Sequence, residues 1–113
     1  MFFRGSIETL TYTIIAAELI EAGQLVSYAD KAAGAGVKVH GIAVHDAEKG
    51  EALRIVVIGQ CDLAAGGTIA KGQSLVSDAA GRPVAAVSDA APGIFGVALS
   101  NAALDERVAV LIR

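Results

Sequence analysis

The second half of this chain loosely repeats the first half. The segment Gly-Ile-Ala-Val-His-Asp-Ala at residues 41–47 matches Gly-Val-Ala-Leu-Ser-Asn-Ala at residues 96–102, and each is followed by a glutamate and an apolar run. Before each copy, Gly-Gln-Leu-Val-Ser at residues 23–27 matches Gly-Gln-Ser-Leu-Val-Ser at residues 72–77. The order is kept and the offset stays at about 49 to 55 positions, which predicts two related units packed on each other.

Length and composition predict one small domain with an aliphatic core. The chain has 113 residues, of which 54% are hydrophobic and only 4% aromatic. One core of this size suits a single domain spanning residues 1–113. Within it we expect an N-terminal arm at residues 1–5, a first unit at residues 6–60 and a second unit at residues 61–113.

The charge pattern argues against nucleic-acid binding. Nine basic residues stand against twelve acidic ones, for a net charge of -3, and no cluster of Lys or Arg could follow a phosphate backbone. The few aromatic residues also provide little surface for stacking bases. We therefore expect no nucleic-acid partner.

No segment has the pattern of a membrane span or a secretion signal. Charged residues or glycines interrupt every apolar run before the roughly 18 residues that a span requires. The start of the chain lacks a basic region followed by a long apolar stretch. Cys61 is the one cysteine, so no internal disulfide is available. These features predict a protein made in the cytoplasm, without a membrane partner.

The pattern of side chains is almost entirely that of β-strands. β-branched and aromatic residues between positions 7 and 15 favour a first strand. Residues 14–22 are the one stretch with helical spacing, since Ile15, Leu19 and Ile20 would share a helix face. The alternative is that residues 17–22 only lead into a turn. Further short strands are expected at residues 24–28, 37–44, 53–58, 68–77, 83–87, 94–99 and 107–112. Short strands at this spacing predict an all-β fold, a compact β-barrel or β-sandwich with at most one short helix.

Several glycines have predictable roles in the two units. Gly50 ends a hairpin turn at residues 47–50, where it is free to take a positive φ. The second copy has Asp105 at this position, so the second turn need not share the geometry of the first. Gly41 and Gly96 open matching strands, where we expect a neighbouring backbone to approach closely.

A catalytic or metal site would have to use His40, His45, Asp46 and Cys61. On a strand, residues 40 and 45 point to opposite faces, and residues 40 and 46 lie about 20 Å apart, too far for one metal ion. Cys61 fits a small buried residue, and the glycine-rich segments lack the Lys-Ser/Thr of a phosphate loop. We therefore expect no enzyme activity, no metal and no cofactor.

The order of these motifs resembles the capsid decoration, or cement, proteins of tailed bacteriophages. The similarity is carried by Gly-Ile-Ala-x-x-Asp-Ala-x-x-Gly-Glu at residues 41–51, Ile-Ala-Lys-Gly-Gln-x-Leu-Val at residues 69–76 and Gly-Val-Ala at residues 96–98. It extends from about residue 5 to residue 113. Each motif is common by itself, but their order over the whole chain is moderately specific.

This resemblance implies a β-tulip-like structural virion protein, made in the host cytoplasm. Such a protein binds the major capsid protein on the outer surface of the head, at local symmetry axes, and stabilises the expanded head. A homotrimer is implied, with a dimer as the alternative. A carbohydrate-binding or adhesive surface module is the second hypothesis, although the absence of Trp and the presence of only two Tyr leave little surface for a sugar.

The candidate interface residues lie near the start of the chain. Phe2, Phe3 and Arg4 precede the repeat and suggest an arm that docks on the capsid or on another subunit, the alternative being packing onto the chain's own barrel. Ile7 and Tyr12 of the first strand extend this candidate interface. Tyr12 and Tyr28 are otherwise expected to be half-buried strand residues.

Overall fold

The computed structural model of the chain describes residues 6–112, with side chains from residue 10 onward, and the strands in this range form one antiparallel sheet. The strands are β1 (Ser6–Ile15), β2 (Leu25–Ser27), β3 (Val39–Ala43), β4 (Ala52–Ala64), β5 (Ser74–Ser77), β6 (Pro83–Ala85), β7 (Gly96–Ala98) and β8 (Arg107–Ile112). Their order is β2-β3-β4-β8-β7-β5-β6, and β1 pairs with β4.

The sheet curls into a nearly closed barrel. The Leu25 N–H, on β2, donates to the carbonyl of Gly81 at 2.8 Å, and the Gly36 N–H donates to the carbonyl of Ser77 at 3.1 Å. These bonds join β2 and the loop that follows it to the β5–β6 hairpin at the other end of the strand path. The predicted all-β, barrel-like fold is therefore confirmed.

The short helix considered for residues 14–22 is wrong, because residues 6–112 contain no helix. Ile14 and Ile15 complete β1, where β-branched side chains are favoured. Ile20 then forms an isolated bridge with Ala47, so its backbone hydrogen bonds go to a distant segment of the chain and not to residues of a helix. Within the described range, no helix has the length and apolar character needed to cross a membrane.

The two halves of the chain repeat each other's hydrogen bonds. Ile20 and Ala47 exchange two backbone bonds of 2.9 Å, and Ile69 and Ala102 exchange the matching pair at 2.8 and 2.9 Å. The sequence repeat is therefore a repeat of local structure.

The turn where the sequences differ also keeps its geometry. Gly50 has a φ of 90°, and Asp105 takes its place with a φ of 67°. The Gly50 N–H donates to the carbonyl of Ala16 at 2.8 Å, and the Asp105 N–H donates to that of Ala65 at 2.9 Å. Asp tolerates this left-handed conformation better than most residues, so the second turn matches the first without glycine.

Strand β4 belongs to both repeats. Its pairing of Ile14 with Leu53, between β1 and β4, recurs as the pairing of Leu63 with Val108, between β4 and β8. The start of β4 thus corresponds to β8, and its end corresponds to β1. We call β1, β2, β3 and the start of β4 the first repeat, and the end of β4 with β5 to β8 the second repeat. The boundary expected between residues 60 and 61 falls inside this shared strand.

The repeated positions also form the cores. The smaller core cluster contains residues of the first repeat, and every one has a counterpart in the larger cluster. The pairs are Ile14 and Leu63, Ala16 and Ala65, Ile20 and Ile69, Val26 and Leu75, Ala43 and Ala98, Ala47 and Ala102, Leu53 and Val108, and Ile55 and Val110. The larger cluster adds residues from both repeats, so it forms the interior of the barrel.

Candidate interaction surface

Exposed aromatic and apolar side chains gather on one side of the first repeat. Tyr12 lies on β1, Tyr28 directly follows β2, Val37 and Lys38 precede β3, and His40 lies on β3. Tyr12 and Tyr28 are 56% and 58% exposed. We call these five residues the tyrosine face. Exposed apolar groups that adjoin one another are typical of a surface that binds another protein.

His40 lies between the two tyrosines and holds them in place. Its ring centroid is 5.3 Å from that of Tyr12, in a tilted arrangement, and 4.3 Å from that of Tyr28, in a stacked arrangement. The Lys38 Nζ lies 5.5 Å from the Tyr28 centroid, within reach of a cation–π contact. These contacts fix a rigid aromatic surface, the kind enriched at protein interfaces.

One polar atom of this face lacks a partner. His40 Nδ1 is buried and has no hydrogen bond to any group in the described part of the chain. A buried polar atom without a partner destabilises the fold by about 1–3 kcal/mol. The tyrosine face therefore has an unmet polar requirement as well as exposed apolar surface.

Both tyrosines differ from the expectation that they would be half-buried. Tyr28 lies on the turn that reverses the chain after β2, where Asp30 has a φ of 63°. Tyr12 lies on β1, and β4 is the one strand of the described range that pairs with β1. Sequence reasoning also missed Lys38 and His40 as surface residues. Their alternation with Val37 and Val39 was the available signal, because it places both polar residues on one side of a strand.

A groove of about 600 Å³ adjoins Tyr28. Its walls include Lys31, Lys38 and Glu18, together with the apolar side chain of Val37. Two cations against one carboxylate give this side of the molecule a local positive charge, although the whole chain carries a net charge of -3.

The residues considered for catalysis have separate surroundings. His40 stacks against Tyr28, and the Asp46 carboxylate accepts a hydrogen bond from the Ala22 N–H at 2.8 Å. His45 Nδ1 lies 2.9 Å from the carbonyl of Asp46, and Cys61 is buried in the larger core. Between residues 6 and 112, no group of three His, Cys, Asp or Glu side chains is arranged to hold a metal ion.

The structure positions only part of the predicted interface. Phe2, Phe3 and Arg4 lie outside the described residues. Ile7 lies on β1 opposite Gln60, and its side chain is not among those described. Tyr12 is a member of the tyrosine face. The arm thus leads into the same strand that carries Tyr12.

Comparison with known proteins agrees with this fold. The family model described as phage cement protein matches residues 5–113. A solved structure, the head fiber gp8.5 N base in bacteriophage phi29, is 21% identical, with 92% of this chain and 93% of that chain covered and a TM-score of 0.74. At that identity the likeness shows the fold alone. A search of the curated proteins found no match.

The resemblance inferred from the motifs is confirmed by the family match. That match covers nearly the whole chain, including both repeats and the strand that joins them. The chain therefore belongs to the phage cement protein family and is a structural protein of the phage capsid.

Proposed function

We propose that this chain decorates the outer surface of a phage head, where it binds the major capsid protein at local symmetry axes and stabilises the expanded head. The observation that carries this proposal is the family match across residues 5–113. The tyrosine face supports a binding role in general, because exposed aromatic surfaces of this kind are enriched at protein interfaces. Binding of this kind needs no cofactor and no bond-making step.

We assign the capsid contact to the N-terminal arm, with Phe2, Phe3 and Arg4, and to the adjoining Ile7. Phe and Arg are enriched at protein interfaces, and two neighbouring phenylalanines provide apolar area that a capsid groove would bury. Phe2, Phe3 and Arg4 also lie outside the repeated sequence pattern. A head presents many equivalent sites, so linked subunits gain strength from simultaneous attachment.

The experiment is to measure this chain's copy number in gradient-purified particles, and then its binding to chain-free expanded heads. We expect the purified particles to contain this chain and the major capsid protein in comparable copy numbers. Removal of residues 2–4 is expected to weaken binding while leaving the thermal melt unchanged. Leu104→Ser is the matched control, because Leu104 is an exposed apolar residue, 56% accessible, on the turn before β8. Absence of the full chain from particles would overturn the proposal.

A carbohydrate-binding or adhesive role is the second candidate. The observation in its favour is the groove beside Tyr28, which combines an exposed aromatic ring with Lys31, Lys38 and Glu18. One face of the Tyr28 ring is already stacked on His40, which reduces the area open to a sugar. Binding to bacterial surface glycans that is lost in Tyr28→Ala and kept in Leu104→Ser would support this role.

A further inference from the structure

One row of side chains across the sheet is buried in the first repeat and open in the second. Backbone pairing aligns β2 with β3 and β3 with β4 in the first repeat, and β5 with β7 and β7 with β8 in the second. The inner row is Leu25, Ile42 and Val56, and the open row is Ser74, Val97 and Leu111. The inner row is 0–2% exposed, whereas all three residues of the open row are only half-buried.

The inner row is buried because it covers the core of the second repeat. Leu25, Ile42 and Val56 belong to the larger core cluster, together with Cys61 and Leu63. Ile42, Val56, Cys61 and Leu63 also line one hollow of about 280 Å³. The first repeat therefore packs its inner row against the strand that begins the second repeat.

The position covered in the second repeat is uncovered in the first. Cys61 pairs with Val110 in the same way that Tyr12 pairs with Ile55, so Cys61 and Tyr12 are equivalent. Cys61 is 6% exposed and Tyr12 is 56% exposed. The internal contact thus has two equivalents that the chain leaves uncovered, the tyrosine face on the first repeat and the open row on the second.

We propose that these two sides meet between copies, with the open row of one copy packed on the tyrosine face of the next. The occupant of the tyrosine face is a second copy of this chain, because the molecule already contains one contact of this kind. Inside the chain an Ile42–Val56 pair covers the position of Cys61. Between copies the equivalent Val97–Leu111 pair covers Tyr12.

Charge complementarity supports this pairing. The tyrosine face carries Lys38, and Lys31 lies on the adjoining groove. Beside the open row, the Asp89 carboxylate accepts a hydrogen bond from the Ser74 hydroxyl at 2.8 Å, and Asp89 is exposed. Opposite charges at the margins of two apolar surfaces favour their association and fix its direction.

Such a contact joins unlike surfaces, so it continues from copy to copy until a ring closes. A ring of three copies would produce the homotrimer that we expect at a threefold capsid axis. The inference concerns self-association, so it stands or fails independently of capsid binding by the N-terminal arm.

The first test is sedimentation velocity of the full chain from low micromolar to about 1 mM, the range in which weak specific contacts are populated. We expect wild type to associate beyond the dimer as concentration rises. Tyr12→Ser and Leu111→Ser are each expected to weaken association by at least about 10-fold, while Leu104→Ser matches wild type. A wild-type chain that stays monomeric, or a control that weakens association equally, overturns the inference.

The second test mixes two defective variants. A Tyr12→Ser copy keeps its open row, and a Leu111→Ser copy keeps its tyrosine face, so an equimolar mixture should form dimers and nothing larger. Lys38→Asp mixed with Asp89→Lys should likewise associate more tightly than either alone, and both positions are exposed enough to leave folding intact. Mixtures that remain monomeric would overturn the head-to-tail contact. Self-association that survives Tyr12→Ser, with binding to heads lost, would show that the capsid covers this face instead.

Discussion

The core of the second repeat also contains residues of the first repeat, whereas the core of the first repeat is built from that repeat alone. The larger cluster combines residues of both repeats, including Phe95, while the smaller one draws only on positions 14–55. Tyr12 is open to solvent at the position where Cys61 is covered. The duplicated unit thus covers a position in one repeat and leaves the equivalent position of the other repeat exposed, as in repeat proteins whose terminal units are atypical.

The largest effect should come from Gly96, the first residue of β7, and Gly41, the middle residue of β3. A Cβ at Gly96 would clash with the carbonyl oxygen of Leu111, and one at Gly41 would lie 2.7 Å from the carbonyl oxygen of Val56. Gly96→Val should lower the free energy of unfolding by at least about 4 kcal/mol, because its other close neighbours are also backbone atoms. Gly41→Val should lower it less, because a side chain, Ile55, is among its neighbours.

Urea unfolding of Gly96→Val and Gly41→Val measures how much stability each repeat loses when a side chain is added at its glycine. Gly34→Ala is the matched control, since a Cβ there would meet only Val37 Cγ2 at an ordinary 3.6 Å. Its stability should stay within about 1 kcal/mol of wild type. A Gly96→Val chain that unfolds at the wild-type urea concentration would contradict the close approach of β7 to β8.

The next largest loss of stability is expected on truncation of two isoleucines at equivalent core positions. Ile20 and Ile69 are 0% and 1% exposed, in the smaller and larger clusters respectively. Ile69→Ala should lower the free energy of unfolding by about 3–4 kcal/mol, because the enclosed core cannot collapse around the cavity. Ile20→Ala should lower it by about 2–3 kcal/mol, because its smaller cluster draws on one repeat alone and can relax further around the cavity. Equal losses in denaturant unfolding would mean that both cores are equally enclosed.

Much of this arrangement was predictable from local chemistry. The repeat, the strands and the hairpin glycine follow from residue patterns that act over a few positions, and Gly50 has its predicted positive φ. The short helix failed because three aliphatic residues fit a helix face and a β-bridge equally well. Tertiary bonds decide between them, such as the one from the Ala16 N–H to the carbonyl of Glu51.

The surface was harder to predict than the fold. Exposure of Tyr12 depends on which repeat lies against which, and a sequence repeat alone does not reveal the order of stacking. His40 contacts Tyr12 and Tyr28, which lie 28 and 12 positions before it in the chain, because the barrel brings these separate segments together. The sequence also left open whether the turn at Asp105 shares the geometry of the turn at Gly50, and only the backbone conformation of Asp105 shows that it does.

A smaller effect concerns a side chain that fixes the same loop in each repeat. Asp46 Oδ1 accepts from the Ala22 N–H, and Asn101 Oδ1 accepts from the Lys71 N–H, both at 2.8 Å. Asp46→Ala and Asn101→Ala should each lower the free energy of unfolding by about 1 kcal/mol. Asp46→Asn should retain most of that stability, because the second repeat makes its bond with an amide. If Asp46→Asn and Asp46→Ala melt at the same temperature, then the negative charge of Asp46, and not its hydrogen bond, stabilises the first repeat.

The smallest effect tests the one turn where the repeats use different residues. Asp105→Gly removes the left-handed strain of a side chain but also removes the bond that Asp105 accepts from Arg82 Nη1 at 2.9 Å. That carboxylate is 73% exposed, so the ion pair contributes little, and stability should change by no more than about 0.5 kcal/mol. Asp105→Ala keeps the strain and loses the pair, so it should be less stable than Asp105→Gly by about 1 kcal/mol. If both variants lose the same free energy of unfolding, and added salt reduces each loss, then the Arg82 ion pair stabilises the second turn. The two repeats would in that case stabilise the same backbone conformation by different interactions.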